Sequence, residues 1–277
     1  MTLFIKGERF NKVSNILIII RGGGDLATGV AVRLFRAGFS VMILEVDHPT
    51  VIRLPVSFAR AIYEGKVIVE GIEAVLIPSW EKAEDIIKQA KIPVLIDSEG
   101  SCIKKLSSTV LVDAILAKRN LGTRINQAPL VIGLGPGFTA GEDVDVVIET
   151  MRGHNLGRVY CHGQAAPDTG VPGEVGGESK RRLLRAPAEG KITPLHSIGD
   201  IVEAGEVIAE VEGAPLKAEI SGVLRGLIYP QSRVTKGMKV GDIDPRGIRK
   251  YCFAVSDKAR SIGGAVLEAI CADMNKK

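Results

Sequence analysis

Three consecutive glycines at the end of an apolar run, Gly22, Gly23 and Gly24, are the first residues in the chain whose spacing suits chemistry. Gly22 permits a tight turn, Gly24 lets a pyrophosphate approach the backbone, and Ala27 lets a helix pack closely on a strand. The helix that follows would turn its unpaired N–H groups and partial positive charge toward an anion. Asp25 stands inside this turn, where a carboxylate opposes phosphate unless it caps the helix. Glu45 lies 23 residues beyond Gly22, near the place where an acid accepts ribose hydroxyls. A second loop holds Gly133, Gly135, Gly137 and Gly141 within nine residues. Each glycine forfeits backbone entropy, so the loop reads either as an anion-binding nest of inward N–H groups or as a tight strand connection. Asp97 and Glu99 follow another apolar run and suit acid/base work, cation binding or the capping of a helix.

Other chemistry has weaker support in the residues. The four histidines show no ligand spacing, so no metal site is expected. There is no Gly-x-Ser-x-Gly elbow, and no catalytic residue can be assigned. Cys161 and His162 are adjacent, but neighbours on a strand point to opposite faces and rarely meet one substrate.

These residues need a scaffold, and the sequence supplies the outline of one. Ile16 to Ile20 reads as a strand buried on both faces, Val30 to Ala37 as a helix ended by Gly38, and Val41 to Val46 as a second strand. Together they predict a Rossmann-like unit holding a nucleotide-type ligand, with NAD one possibility. Further strands are expected at Lys66 to Glu70, Ala74 to Ile77, Ile92 to Ile96 and Pro129 to Ile132, with a helix from Glu81 to Ala90. Val144 to Thr150 is a strand or a short helix, and Val110 to Asn120 mixes both patterns. A closing helix around Lys258, Ile262, Ala265 and Ala269 is expected to return to the first domain, with Gly263 and Gly264 allowing close packing.

At 277 residues the chain holds one large domain or two ordinary ones. The net charge of +4 suits anionic small molecules and, with only 4% aromatics, argues against a nucleic-acid partner. The longest early apolar run, Ile16 to Ile20, is too short to cross a bilayer, and four scattered cysteines without a secretory signal place the chain in the cytoplasm. From Ala186 onward, short apolar pieces alternate with glycines. An offset of 32 residues superposes Gly190 on Gly222, Ile192 on Leu224, Leu195 on Leu227, Val202 on Val234, Gly205 on Gly237, Ile208 on Val240 and Val211 on Ile243. Such a repeat predicts two interlocking halves of short strands around one small core.

Residues 186–192 and 198–206 resemble the biotinyl/lipoyl barrel-sandwich pattern, although the Glu212-Gly213-Ala214-Pro215 tip lacks the lysine between methionines that carries the prosthetic group. The expected fold is therefore α/β: a Rossmann-like parallel sheet (1–185 plus 248–277) with a smaller all-β barrel-sandwich domain (186–247) inserted before the C-terminal helix. Over most of its length the chain also resembles the selenium-dependent molybdenum hydroxylase system proteins, distant relatives of xanthine and carbon monoxide dehydrogenase maturation factors. The motifs are Arg21–Gly29, Val112–Asn120, Gly133–Asp143, Thr169–Gly173, Asp242–Arg246 and Ser256–Arg260. The resemblance implies a maturation factor that binds a molybdopterin-type cofactor or other nucleotide and delivers it to a molybdenum hydroxylase apoenzyme, with a homo-oligomer one possibility. On that view Gly22, Gly23, Gly24, Asp25, Glu45, Asp97, Gly133, Gly135 and Gly137 would surround the cofactor. Lys118, Arg119, Arg152 and Lys258 would supply positive charge. The alternatives are an NAD(P)-dependent oxidoreductase, which would need a hydride-transfer partner, and a non-catalytic scaffold that docks a partner enzyme.

Overall fold

The run of isoleucines becomes the middle of a large sheet. In the computed structural model, which describes residues 16–106 and 108–276, β1 (Leu17–Arg21) has Ile18, Ile19 and Ile20 fully buried. Apolar side chains on both faces are what a strand covered from two sides requires. After Gly24 the chain enters α1 (Asp25–Arg36) and returns as β2 (Ser40–Glu45), parallel to β1. The next elements are α2 (Ala61–Glu64), β3 (Lys66–Val69), β4 (Ile72–Ile77), α3 (Ala83–Lys88) and β5 (Ile92–Ile96). They are followed by β6 (Val110–Asp113), β7 (Leu130–Leu134), β8 (Val146–Ile148) and β9 (Val159–Tyr160).

These nine strands form one sheet in the order β3-β4-β5-β2-β1-β6-β7-β8-β9. All neighbours from β4 to β8 are parallel, while β3 and β9 pair antiparallel at the two edges. The α/β class stands, and the expected parallel sheet is corrected to a mixed one. Both outer pairs are joined directly in sequence, and such short connections close only antiparallel partners.

The helical layer is uneven. Among the described residues, the connections from β6 to β7 and from β7 to β8 hold no helix. The bare face there is covered by α4 (Asp257–Met274), which comes from the far end of the chain and packs on α1, β7, β8 and β9. One apolar core lies between these helices and the sheet; a second fills the opposite face, where Ile19, Met42, Leu111, Val131 and Val147 meet Phe138 and Ile103. Segment 110–120, ambiguous in sequence, is strand only as far as Asp113.

The repeat, together with a short strand just ahead of residue 186, forms a separate pair of sheets. Its strands are β10 (Leu183–Arg185), β11 (Gly190–Pro194), β12 (Ile201–Val202), β13 (Val207–Val211), β14 (Ala214–Lys217), β15 (Gly222–Leu227), β16 (Arg233–Val234) and β17 (Lys239–Asp244). The starts of β11, β12 and β13 shift by 32 residues onto those of β15, β16 and β17. One sheet runs β10-β17-β15-β12 and the other β14-β13-β11-β16, so each sheet draws two strands from each half. Matched residues Ile192 and Leu224, Ile208 and Val240, and Val211 and Ile243 are all buried in the shared core.

The likeness between halves breaks at one pair. Leu195 is 55% exposed, whereas its counterpart Leu227 is 3% exposed because it lies against the large domain. There the Leu227 N–H donates to the Ile52 carbonyl at 2.8 Å. A Cβ on Gly226 would stand 2.9 Å from that same oxygen, so the approach requires glycine. Nearby, the rings of Tyr63 and Tyr229 stack with centroids 4.1 Å apart and planes 6° from parallel. No helix among the described residues is long and apolar enough to cross a membrane.

A basic cleft at the switch point of the sheet

Residues 22–24 do form the bend that the glycines predict, and Gly22 adopts φ +93°, a conformation that disfavours side chains. The bend is nevertheless filled by the protein itself. The Gly22 N–H donates to the Leu44 carbonyl at 2.7 Å and the Gly23 N–H to the Glu45 carboxylate at 2.7 Å. The Gly23 carbonyl accepts from the Thr28 and Ser57 hydroxyls and from the Ala59 N–H. A Cβ on Gly23 would stand 2.8 Å from the Ala59 nitrogen. Segment 54–60 therefore packs directly against Gly23. Burial raises the Glu45 carboxyl, and its backbone partners Val46 and Gly23 oppose that rise. Its role is to hold the bend.

The second glycine loop is closed in the same way. The Gly135 N–H donates to the Ile148 carbonyl, the Thr139 N–H to Asp143, the Ala140 N–H to Gly163 and the Gly141 N–H to Val144. Gly133 packs under the Phe138 ring, and Gly137 crosses the backbone of Arg119. This is a tight strand connection, and strand β6 separates it from the first bend. Asp97 accepts from the Ser101 and Cys102 N–H groups at 2.9 Å and so caps a turn.

The open space lies beside these bends. A cleft of about 740 Å³ runs between the carboxyl edge of the large sheet and the repeat module, within the usual range for small-molecule sites. From the large domain it is lined by Asp25 and Leu26 after β1, Leu116 and Lys118 after β6, Pro136 after β7, and Thr150, Met151 and Arg152 after β8. The sheet connections diverge between β1 and β6, and such switch points are where open α/β sheets bind ligands. Arg182, Arg185, Arg225 and Lys239 line it from the module, while Arg53 and Lys258 close it. Of the residues expected from sequence, Asp25, Lys118, Arg152 and Lys258 meet here. The glycines, Glu45, Asp97 and Arg119 are not among the lining residues.

The lining holds eight cations (Arg53, Lys118, Arg152, Arg182, Arg185, Arg225, Lys239 and Lys258) against three carboxylates (Asp25, Asp168 and Asp242). Some of that charge is neutralised. Lys118 pairs with Asp168 at 2.6 Å, Arg152 grips Asp257 through two bonds of 2.8 and 3.1 Å, and Arg182 pairs with Asp242. At the floor the pairing is looser: Asp25 lies 3.8 Å from Arg53, and Asp242 and Asp244 each lie 4.0 Å from Arg225. Arg53 is only 4% exposed, and its Nη2 donates to the carbonyls of Tyr251, Cys252 and Ala254. Among the described residues its Nε and Nη1 have no acceptor, and neither does Nε of Arg225, which is 8% exposed. Each buried orphan donor costs about 1–3 kcal/mol. Burial, and then the adjacent Arg225, lowers the Arg53 guanidinium from its usual value. Burial likewise lowers the ammonium groups of Lys239 and Lys258.

Arg53 and Arg225 were not visible as a site in sequence because no motif joins them. One signal existed: Arg225 interrupts the apolar run from Val223 to Ile228 on a buried strand, and a charge there calls for a partner. Arg53 is fixed by the backbone contact of its segment with β15, where Arg53 bridges to Leu227.

No family model matches the chain. It is 50% identical over 254 residues to the uncharacterized protein YqeB of Escherichia coli (strain K12), a match that covers 92% of this chain and 47% of that one. The chain thus spans about half the length of this curated relative. Similar solved structures include an aspartoacylase family protein from Mesorhizobium loti, with 11% identity, coverage of 82% and 84%, and a TM-score of 0.26. Another is the product-bound ectoine utilization protein EutE (DoeB) from Ruegeria pomeroyi, with 11% identity, coverage of 82% and 56%, and a TM-score of 0.22. A third, TcdA (CsdL), shows 14% identity, coverage of 96% and 93%, and a TM-score of 0.30. Scores this low lend no activity to the chain.

These findings correct the expected kinship with molybdenum hydroxylase system proteins. The structural neighbours are aspartoacylase, desuccinylase and other proteins, the curated relative is uncharacterized, and none of their names points to molybdenum hydroxylase maturation. The cofactor-delivery function drawn from that kinship is withdrawn with it. At the two bends the N–H groups of Gly22, Gly23, Gly135, Thr139, Ala140 and Gly141 are bonded within the protein.

Proposed function

We propose that the chain binds a small anionic molecule in the cleft between its two modules. The observation that supports this most directly is the buried guanidinium pair, Arg53 and Arg225, with three N–H-bearing nitrogens lacking acceptors among the described residues. Like charges held together out of water are costly, and an anion would relieve both the repulsion and the missing hydrogen bonds. Lys239 and Lys258 add charge from opposite walls, and the first turn of α1 at Asp25 and Leu26 adds its dipole. Those walls belong to different modules, so one ligand would bridge the sheet and the repeat. We read the repeat itself as a barrel-sandwich whose role is to supply one wall of this site. Four unpaired cysteines support a reducing, cytoplasmic setting.

Isothermal titration with inorganic pyrophosphate and with citrate tests the reading. Millimolar or tighter binding is expected, weakened about tenfold by Lys239→Ala or Lys258→Ala. Absence of heat with every polyanion, in protein verified as folded and free of bound ligand by native mass spectrometry, rejects it.

A further inference from the structure

The cleft contains an orphan acceptor beside its orphan donors. Asp25 is the first residue of α1, its side chain is 36% exposed, and its carboxylate accepts no hydrogen bond from any described residue. The nearest cation is Arg53, whose Nη1 lies 3.8 Å from Oδ2, beyond hydrogen-bond range. That nitrogen and Nε of the same residue have no acceptor either. A carboxylate meant only to neutralise Arg53 would close this gap, as Asp257 does on Arg152 at 2.8 Å.

An oxyanion bound against Arg53 and Arg225 would bring an oxygen toward Asp25. If that oxygen carries no hydrogen, two anionic oxygens face one another and repel. If the ligand has a donor there, the donor satisfies Asp25 while its anionic atoms satisfy the guanidinium groups.

We infer that Asp25 selects ligands in which an anionic group and a hydrogen-bond donor sit on the same or the adjacent atom: a protonated phosphate, or a carboxylate beside a hydroxyl or ammonium. This rests on the binding function proposed above. Discrimination here comes from mismatch, since the wrong ligand leaves a charge unpaired.

Inorganic phosphate and sulfate are the decisive probes, being nearly equal in size and shape. Phosphate keeps a P–O–H at neutral pH and sulfate has none. Lactate against propionate tests the carbon-borne hydroxyl, and whichever pair shows discrimination identifies where the donor resides. Phosphate is expected to bind at least about tenfold more tightly than sulfate, and Asp25→Asn is expected to bring the two within about twofold. Asp25→Ser, which retains a polar group at the helix start, gives the same readout should the asparagine variant fail to fold. Equal binding of the donor-bearing and donor-free members of both pairs leaves the anion site standing and overturns the selection by Asp25. Discrimination that survives both substitutions overturns it as well. Absence of binding by all four probes up to about 50 mM overturns this inference together with the function on which it rests.

Discussion

Gly29 and Gly263 face each other where α1 and α4 cross: a Cβ on Gly263 would stand 2.9 Å from the Gly29 carbonyl oxygen, and one on Gly29 2.5 Å from the Ala259 Cβ. The two helices thus meet backbone to backbone. This contact ties the end of the chain to the helix whose first residue lines the cleft.

Adding a methyl group at this crossing forces the helices apart. Gly29→Ala is expected to destabilise the fold by about 1–3 kcal/mol, since the obstacle includes backbone of Ala259 that cannot swing away. Gly264→Ala meets nothing within 4 Å and is expected to stabilise by about 0.5–1 kcal/mol through helix propensity. Urea melts of the two variants should shift in opposite directions.

The thiols should divide into two classes. Burial, with Asp97 alongside, pushes Cys102 up to about 12, and burial also raises Cys252. Cys161 and Cys271 are exposed. Two cysteines are expected to react rapidly with a disulfide reagent at pH 8 in the native protein, and four in denaturant. Fast modification of Cys102 in the folded state would contradict the packing around it.

Anion binding should take up protons. Burial holds the Lys239 and Lys258 ammonium groups below their ordinary value, and a bound anion would favour their charged forms. Affinity is expected to fall as pH rises through these lowered values, earlier than it would for ordinary lysines. Titrations in buffers of different ionisation enthalpy should reveal the uptake, and Lys258→Ala should reduce it.

At low pH one ion pair gives a defined signature. Hydrogen bonds from Arg152 hold Asp257 at about 2, below its ordinary 3.8. The pair stabilises the fold above the unfolded carboxyl value, and that contribution is lost as pH falls from there through about 2. Asp257 is 76% exposed, so the effect is under about 1 kcal/mol. Comparing melts of wild type and Asp257→Asn between pH 5 and pH 2, the difference should shrink toward zero on the acid side.

Local patterns were the legible part of this protein. The apolar run before Gly22 and the alternation at Lys66 to Ile77 identify strands because each depends on neighbours in sequence. The 32-residue offset likewise placed equivalent strands in the two halves of the module. The fate of the glycine bend was illegible because Ser57 and Ala59, which fill it, are more than thirty residues away. The cleft was half legible. Lys118, Arg152 and Lys258 stood out within motifs, whereas Arg53, Arg225 and Lys239 acquire meaning only when the module folds against the sheet.

The pairing of Leu183 with Asp242 has a consequence for how such a molecule can be assembled. The excursion of some sixty residues leaves and rejoins the parent fold through a single doorway. Cutting it out at that threshold and tying the ends with a short linker would leave the large sheet its own strands and α4. The price is a ligand groove with only one bank.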